Sequence, residues 1–311
     1  MTTDQLYMAP VRGITDIIYR NAFDRHFGGI DIAITPFLTP VKGNQIKLSQ
    51  QAEFIPADNR IPIIPQIIGK SPENFSDLAK IVFDLGNDKV NWNLGCPHPV
   101  MTQKKCGSGL LAHPDLVDQF LDKVCNTIEN KLSVKVRLGL QESDELMCLL
   151  PVFERYPITE ITIHARTGKQ KYTGSVDRDM FEEYSKLIKM PLSYNGDIVN
   201  LEDFHNLQKR FPSIHKWMLG RGLFANPALA LEIKQGFTLS TEARTKLILG
   251  FHDELLSQYQ QRLSGDKHLI QKMVGHWLYL HESFPTGAKL YKKLKKTKTL
   301  EDYRQVLDSF I

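Results

Sequence analysis

Eight short apolar runs, separated by stretches that open on helix-start signals, constrain this chain more than any other feature. The runs cover residues 7–10, 31–35, 61–68, 89–95, 132–139, 160–166, 192–197 and 216–222. Each is brief and apolar, as expected for parallel strands buried on both faces. Between them, Ser71-Pro72-Glu73 offers an N-cap, a proline at the first helical position and an acid in the first turn. Pro114-Asp115, Asn200-Leu201-Glu202-Asp203 and Asn226-Pro227 read the same way. Eight strands alternating with helices predict an α/β fold closed into a (β/α)8 TIM barrel. An open doubly wound sheet would leave its first and last strands as edges. Beyond residue 237 the strand-like runs stop, and 241–261, 267–281 and 299–310 carry helical spacing of apolar residues. The expected organisation is a TIM barrel over residues 1–237 and a small all-helical C-terminal domain over 238–311.

At 42% hydrophobic and 24% charged, the composition is that of an ordinary globular protein. No cationic stretch leads into an apolar core at the N-terminus, and no run reaches the ~18 apolar residues of a membrane span. The four cysteines Cys96, Cys106, Cys125 and Cys148 are therefore expected to be reduced thiols of a cytoplasmic protein. Nothing implies a membrane or an obligate protein partner. The net charge of +4 says little until its distribution is considered. Residues 289–298 hold six lysines, one aromatic and no acid. Such a run is either a solvated helix face or a patch that contacts phosphates.

A parallel α/β barrel keeps its chemistry at the C-terminal ends of its strands. There this chain places Asn93-Leu94-Gly95-Cys96-Pro97, in which glycine permits a sharp turn and proline stiffens it, so the thiol is held. The fifth run puts Lys135 between valines, where an ammonium needs either an internal carboxylate or an anionic ligand. His164 and Arg166 end the sixth run. Asn195-Gly196-Asp197 and Gly220-Arg221-Gly222 follow the seventh and eighth, the two loops that often form a barrel's phosphate site. A phosphate site together with a buried lysine facing an aromatic anion fits FMN. Cys96, His98 and Cys106 lack the second ligand pair of a zinc site, so no metal is expected.

With these residues assembled, the chain resembles the dihydrouridine synthase family over nearly its whole length. The landmarks are residues 7–16 (Tyr7-Met8-Ala9-Pro10-Val11-Arg12 onward), Pro65-Gln66, Asn93 to Pro97, Lys135 to Gly139, His164-Ala165-Arg166-Thr167, Asn195-Gly196-Asp197 and Gly220-Arg221-Gly222. The resemblance implies an FMN barrel with a tRNA-binding helical domain, which reduces the C5–C6 double bond of uridine with electrons from NADPH. It implies that Pro10, Val11 and Arg12 line the flavin and that Gln66 bonds its polar edge. Lys135 would stabilise the reduced ring's negative charge, and His164 would contact the cofactor. Asn195, Gly196, Asp197, Gly220 and Arg221 would bind the ribityl chain and phosphate. Asn93 would position the uracil, Arg166 would order the site or hold RNA, and Cys96 would protonate C5. Lys292, Lys293, Lys295 and Lys296 would then clamp RNA phosphates. The chain departs from the family's usual pattern at Val11, Ala165, Ser193-Tyr194 and His98-Pro99, none of which removes a group the chemistry needs.

Two other functions are compatible with the same residues. One is an FMN barrel oxidoreductase acting on a small molecule, which would not need the lysine run. The other is a non-catalytic RNA-binding protein, which would not need Cys96, Lys135 and His164.

Overall fold

The computed structural model describes residues 4–40 and 51–310. Nine parallel strands run in the order β3-β2-β1-β9-β8-β7-β6-β5-β4. They are β1 (Gln5–Met8), β2 (Ile32–Ile34), β3 (Ile63–Ile64), β4 (Gln66–Ile67), β5 (Lys89–Leu94), β6 (Lys131–Arg137), β7 (Ile158–His164), β8 (Leu192–Asn195) and β9 (Lys216–Leu219). The two ends of the order, β3 and β4, are halves of one strand position split at Pro65. Proline has no N–H to give the ladder. Its carbonyl still accepts from Asn91 N–H (2.8 Å), and Leu38 N–H donates to Gln66 O (2.8 Å), so pairing continues on both sides of the split. The expected eight-stranded TIM barrel is therefore present, with its third strand broken once.

Alternation along the strands sets what faces where. Val90, Trp92 and Leu94 point outward into the layer shared with the helices, where Trp92 stacks on Phe120 at 3.8 Å between centroids. Asn91 and Asn93 point inward. So do Ser133, Lys135 and Arg137 on β6, and Glu160, Thr162 and His164 on β7. The inward polar groups bond one another: Gln66 Nε2 donates to Asn91 Oδ1 (2.7 Å), and Asn91 Nδ2 donates to Ser133 Oγ (2.9 Å). One side of the interior is thus a hydrogen-bonded polar floor, and the other is a small apolar cluster of Tyr7, Ala9, Ile34, Ile64 and Met218.

Three of the four helix-start signals act as expected, Pro114 opening the helix Pro114–Cys125; Asn226 instead caps the C-terminus of the short helix Arg221–Ala225, and the next helix, Leu229–Gln235, starts after Ala228 with no side-chain cap. Ser71 Oγ accepts from Asn74 N–H ahead of the helix Pro72–Asp84, and Asn200 Oδ1 accepts from Asp203 N–H (2.7 Å) ahead of Leu201–Arg210. After β9 only helices follow. Four of them, Thr241–Arg262, Asp266–Leu280, Gly287–Leu294 and Leu300–Asp308, pack as a bundle. In the bundle core, Trp277 Nε1 donates to Tyr303 Oη and His252 Nε2 also reaches it, each at 2.8 Å. Gly287–Leu294 carries the start of the lysine run. The bundle is fastened to the first barrel helix, Ile17–His26. Asp16 caps that helix at Tyr19 N–H and accepts from Tyr259 Oη and Lys272 Nζ, both at 2.7 Å. Those partners hold the Asp16 carboxyl below its ordinary pKa although burial opposes them. No helix among the described residues is long and apolar enough to cross a membrane.

Candidate active site

A cavity of about 1330 Å3 opens at the C-terminal ends of the strands and extends against the helical bundle. Its wall brings together Pro10, Val11, Arg12, Asn93, Cys96, Lys135, His164, Arg166, Asn195, Gly196, Asp197, Gly220 and Arg221. Of the residues to which the resemblance assigns a role, Gln66 and the four lysines stand away from it. Gln66 is fully buried in the floor, its amide bonded to Asn91 and, through Oε1, to Asn93 Nδ2 (2.8 Å).

Asn93 holds the cysteine turn. Its Oδ1 accepts from the backbone N–H groups of Gly95 (3.0 Å) and Cys96 (2.9 Å). From the other side, Ser108 donates through both its backbone and its hydroxyl to Cys96 O (3.0 and 3.1 Å). Gly107, with φ +58°, lies so close that a Cβ there would fall 2.6 Å from Cys96 O. The thiol is therefore fixed between two polar turns. Burial pushes its pKa up, opposed by the His98 N–H and the charges of Arg137, Lys135 and Arg12. A raised thiol pKa means a proton retained at Sγ near neutral pH.

Cations surround it. Lys135 Nζ donates to Asn195 Oδ1 (3.0 Å), and Asn195 is itself fixed by donating to Met218 O (2.9 Å). No carboxylate among the described residues is bonded to the lysine, and burial, aided by Arg137, lowers its pKa to about 7. Arg137 donates to Gly95 O (2.8 Å) and Thr167 O (2.7 Å), joining the cysteine turn to the loop after β7. Burial takes its pKa down to about 10. Arg166, 2% exposed, is bidentate on Asp197 (3.0 and 2.5 Å), and Asp197 also accepts from Arg221 (3.1 Å). His164 is held well below the ordinary imidazole pKa by burial and then by Arg137, Lys135, Arg166 and Arg221. Its Nε2 lies 3.4 Å from an Arg166 nitrogen that can only donate, which assigns the ring proton to Nδ1.

Sequence reasoning missed three wall residues. Arg137 was legible, since it sits two positions from Lys135 and shares its face. Tyr172, 56% exposed between Arg137 (5.4 Å) and Arg221 (5.6 Å), lies in a loop without periodicity. Tyr279 comes from the bundle helix Asp266–Leu280, whose apposition to the barrel mouth no local pattern announces.

Comparison with known proteins now bears on this site. The dihydrouridine synthase family model matches residues 7–311. The chain belongs to the dihydrouridine synthase family. Among its relatives, a tRNA-dihydrouridine(16) synthase of Shewanella oneidensis is 26% identical over 98% of this chain and 97% of its own length. Another of that name, from Neisseria meningitidis serogroup A, is 25% identical over 98% and 94%. A tRNA-dihydrouridine synthase B of Pasteurella multocida is 28% identical over 73% of this chain and 68% of its own. Among solved structures, an old yellow enzyme homologue from Zymomonas mobilis superposes with a TM-score of 0.56 at 12% identity, covering 78% of this chain and 95% of that one. Morphinone reductase, solved in complex with tetrahydroNAD, gives 0.54 at 10%, covering 76% and 88%. Those two establish a shared barrel fold. Among the described residues, no group of three or more His, Cys, Asp or Glu could hold a metal ion.

Proposed function

We propose that this dihydrouridine synthase reduces the C5–C6 double bond of uridine in tRNA, holding FMN in the barrel mouth and using NADPH as reductant. In this reading residues 1–237 form the catalytic barrel and 238–311 the part that grips RNA. The single observation that carries it is a thiol fixed between the Asn93 and Ser108 turns on the wall of a cavity rich in cationic side chains.

The residues present fit FMN. Lys135, Arg137, Arg166 and Arg221 line the wall around the cysteine, and Asp197 is the carboxylate that bonds two of them. Such a cluster of positive charge favours an anion beside it, and the cofactor brings a phosphate and a ring that becomes negative. Gly196, Gly220 and Arg221 would hold the phosphate end and Lys135 the ring. Pro10, Val11 and Arg12 would line its edge. Gln66, one layer down, would support it by fixing Asn93. When bound, the flavin supplies the hydride that adds to uracil C6.

The protein's own part is to position the base and to move a proton. Asn93 keeps one amide hydrogen beyond its bond to Gln66, which suits a uracil carbonyl. Neutral His164 offers Nδ1–H without adding charge. Hydride addition at C6 leaves electron density at C5, and Cys96 Sγ gives its proton there. The resulting thiolate is met by the His98 N–H and by Arg137, Lys135 and Arg12. An acid must stay protonated until it is used, so the raised thiol pKa suits this role. Lys292, Lys293, Lys295 and Lys296, all exposed and without a carboxylate partner among the described residues, would bind tRNA phosphates.

The test is an absorbance spectrum from 300 to 550 nm, before and after anaerobic NADPH, followed by assay of dihydrouridine in tRNA. Flavin bands that bleach, with product formed by the wild type and lost in Cys96→Ala, support the proposal. A colourless protein that FMN cannot reconstitute overturns it. Product formation that survives Cys96→Ala overturns the acid assignment.

A further inference from the structure

Three loops at the C-terminal ends of the strands carry lysines and no acid. Residues 68–72, after β4, hold Lys70; residues 95–114, after β5, hold Lys104 and Lys105; residues 165–176, after β7, hold Lys169 and Lys171. All five are exposed, and none is bonded to a carboxylate among the described residues. Elsewhere in the barrel, Lys80, Lys123, Lys131, Lys186, Lys189 and Lys216 each meet one. The three loops converge on the turn that fixes Cys96. Gly168 lies against Ser108, whose Oγ would be 2.7 Å from a Cβ there, and Ser108 in turn holds Cys96 O. Lys70 and Lys104 both stand close enough to the Cys106 thiol to oppose the rise in pKa that its burial causes.

Backbone strain marks the same loops. Among the described residues, the non-glycine positions with positive φ are Lys105 (54°), Lys171 (53°) and Asp197 (39°), all at this end of the barrel. Lys105 closes the helix Pro99–Gln103, its N–H bonding Thr102 O (3.0 Å) and the next N–H, of Cys106, bonding Met101 O (2.9 Å). That position ordinarily takes glycine or asparagine. A charged side chain in a conformation that favours glycine points to a use for the charge. The helical bundle stands on the other side of the mouth. It seats on Ile17–His26, after β1, and Ser283 Oγ bonds Ala225 O, after β9. β5 is four strand positions from β9, halfway round a ring of eight.

We propose that Lys70, Lys104, Lys105 and Lys169 form a second phosphate-binding surface, across the mouth from the bundle's lysine run, which holds the RNA backbone on the far flank of the target uridine. The inference rests on the tRNA reading above. A base drawn out of its stack pulls its own backbone with it, and a strand gripped on one flank alone is free to carry the base back. Each lysine that neutralises a phosphate releases a counterion, so the two surfaces add separately to the salt dependence of binding.

The experiment uses flavin-loaded protein carrying Lys70→Gln, Lys104→Gln, Lys105→Gln and Lys169→Gln; Lys171 is left in place because it lines the cavity. A control variant carries Lys80→Gln, Lys123→Gln, Lys186→Gln and Lys189→Gln, the same loss of charge from paired sites. Dihydrouridine formation in a tRNA transcript is measured over a range of salt, with NADPH-dependent flavin bleaching alongside, and phosphate-ethylation interference maps the contacts on the RNA. The expected result is a KM for tRNA raised at least about tenfold at low salt, with a log–log salt slope shallower by about 2–3, at roughly 0.7 per lysine. The KM for NADPH and the bleaching stay unchanged, and one cluster of interfering phosphates is lost, different from the cluster lost when the bundle lysines are replaced. An unchanged KM for tRNA, an equal rise in the control variant, or loss of the same cluster from both surfaces overturns the proposal. A raised KM for NADPH with that for tRNA unchanged overturns it in favour of a nucleotide-phosphate site. Wild-type protein that bleaches but forms no dihydrouridine in tRNA overturns the tRNA reading and the second surface with it.

Discussion

Asn93→Ala removes the side chain on which the cysteine turn hangs. Three bonds are lost: those from the Gly95 and Cys96 amides to Oδ1, at 3.0 and 2.9 Å, and that from Nδ2 to Gln66 Oε1, at 2.8 Å. Gln66 Oε1 sits on a fully buried residue, and truncation leaves it without that donor. An orphaned buried group costs about 1–3 kcal/mol, and the two half-buried amides recover part of their loss from water, so the sum is roughly 3 kcal/mol. For a chain of this size that lowers Tm by about 5 °C. The accompanying effect is local, because a freed turn exposes Sγ. Calorimetry gives the first quantity. Timed iodoacetamide labelling with mass-spectrometric readout gives the second, with exposed Cys148 as an internal standard. Cys96 labelling, slow relative to Cys148 in the parent, should accelerate at least about tenfold, a change of 1.4 kcal/mol in opening the turn. Asn93→Asp keeps an acceptor for both amides and should leave labelling slow. An Asn93→Ala protein with unchanged Tm and unchanged Cys96 labelling would refute the claim that this amide holds the turn.

Three further outcomes follow from the same geometry. Lys135 has a folded pKa near 7, below its unfolded value, so the folded state takes up fewer protons between the two and stability falls as pH drops from about 10 to 7. Lys135→Met should remove that slope and raise Tm at pH 7 in cofactor-free protein while weakening FMN retention; an unchanged Tm–pH curve would count against the assignment. Asp197→Asn strips Arg166, 2% exposed, of its carboxylate, for which about 3–5 kcal/mol is expected in chemical denaturation, and a loss under 1 kcal/mol would show the pair to be dispensable. Replacing Lys292, Lys293, Lys295 and Lys296 with glutamine should raise the KM for tRNA and shallow its salt dependence at constant flavin content. The same KM at low salt would make the run a solvated face.

The barrel was legible because strand parity and helix caps are local signals. Short apolar runs gave the eight strand positions, and Ser71 and Asn200 marked helix starts that the backbone then used. The break at Pro65 was equally open to a local reading, since a missing N–H in mid-strand must interrupt pairing. The site was legible wherever a residue lay at a strand end, which is why Cys96, Lys135, His164 and Arg166 share one wall. What escaped depends on contacts between distant segments. Gln66 stands next to the cavity in sequence logic, yet its amide is committed to Asn91 and Asn93, and only the packed interior shows that. Leu278 and Tyr279 join the wall through the docking of a helix whose own sequence says nothing about the barrel.

That docking also orders events during synthesis. Asp16 waits for Tyr259, 243 residues later, and for Lys272, 256 residues later. β1 likewise lacks one neighbour until β9 emerges, since Gln5 pairs with Lys216. At about 5–20 residues per second on the ribosome, β1 and the first helix stand without these partners for roughly 10–50 s. Throughout that interval the rim of β1 and the seat of the bundle on Ile17–His26 are exposed apolar surface. β1 and the helix Ile17–His26 are thus covered only by elements made long after them, which makes these two the elements most in need of a chaperone's protection while the rest of the barrel and bundle is synthesised.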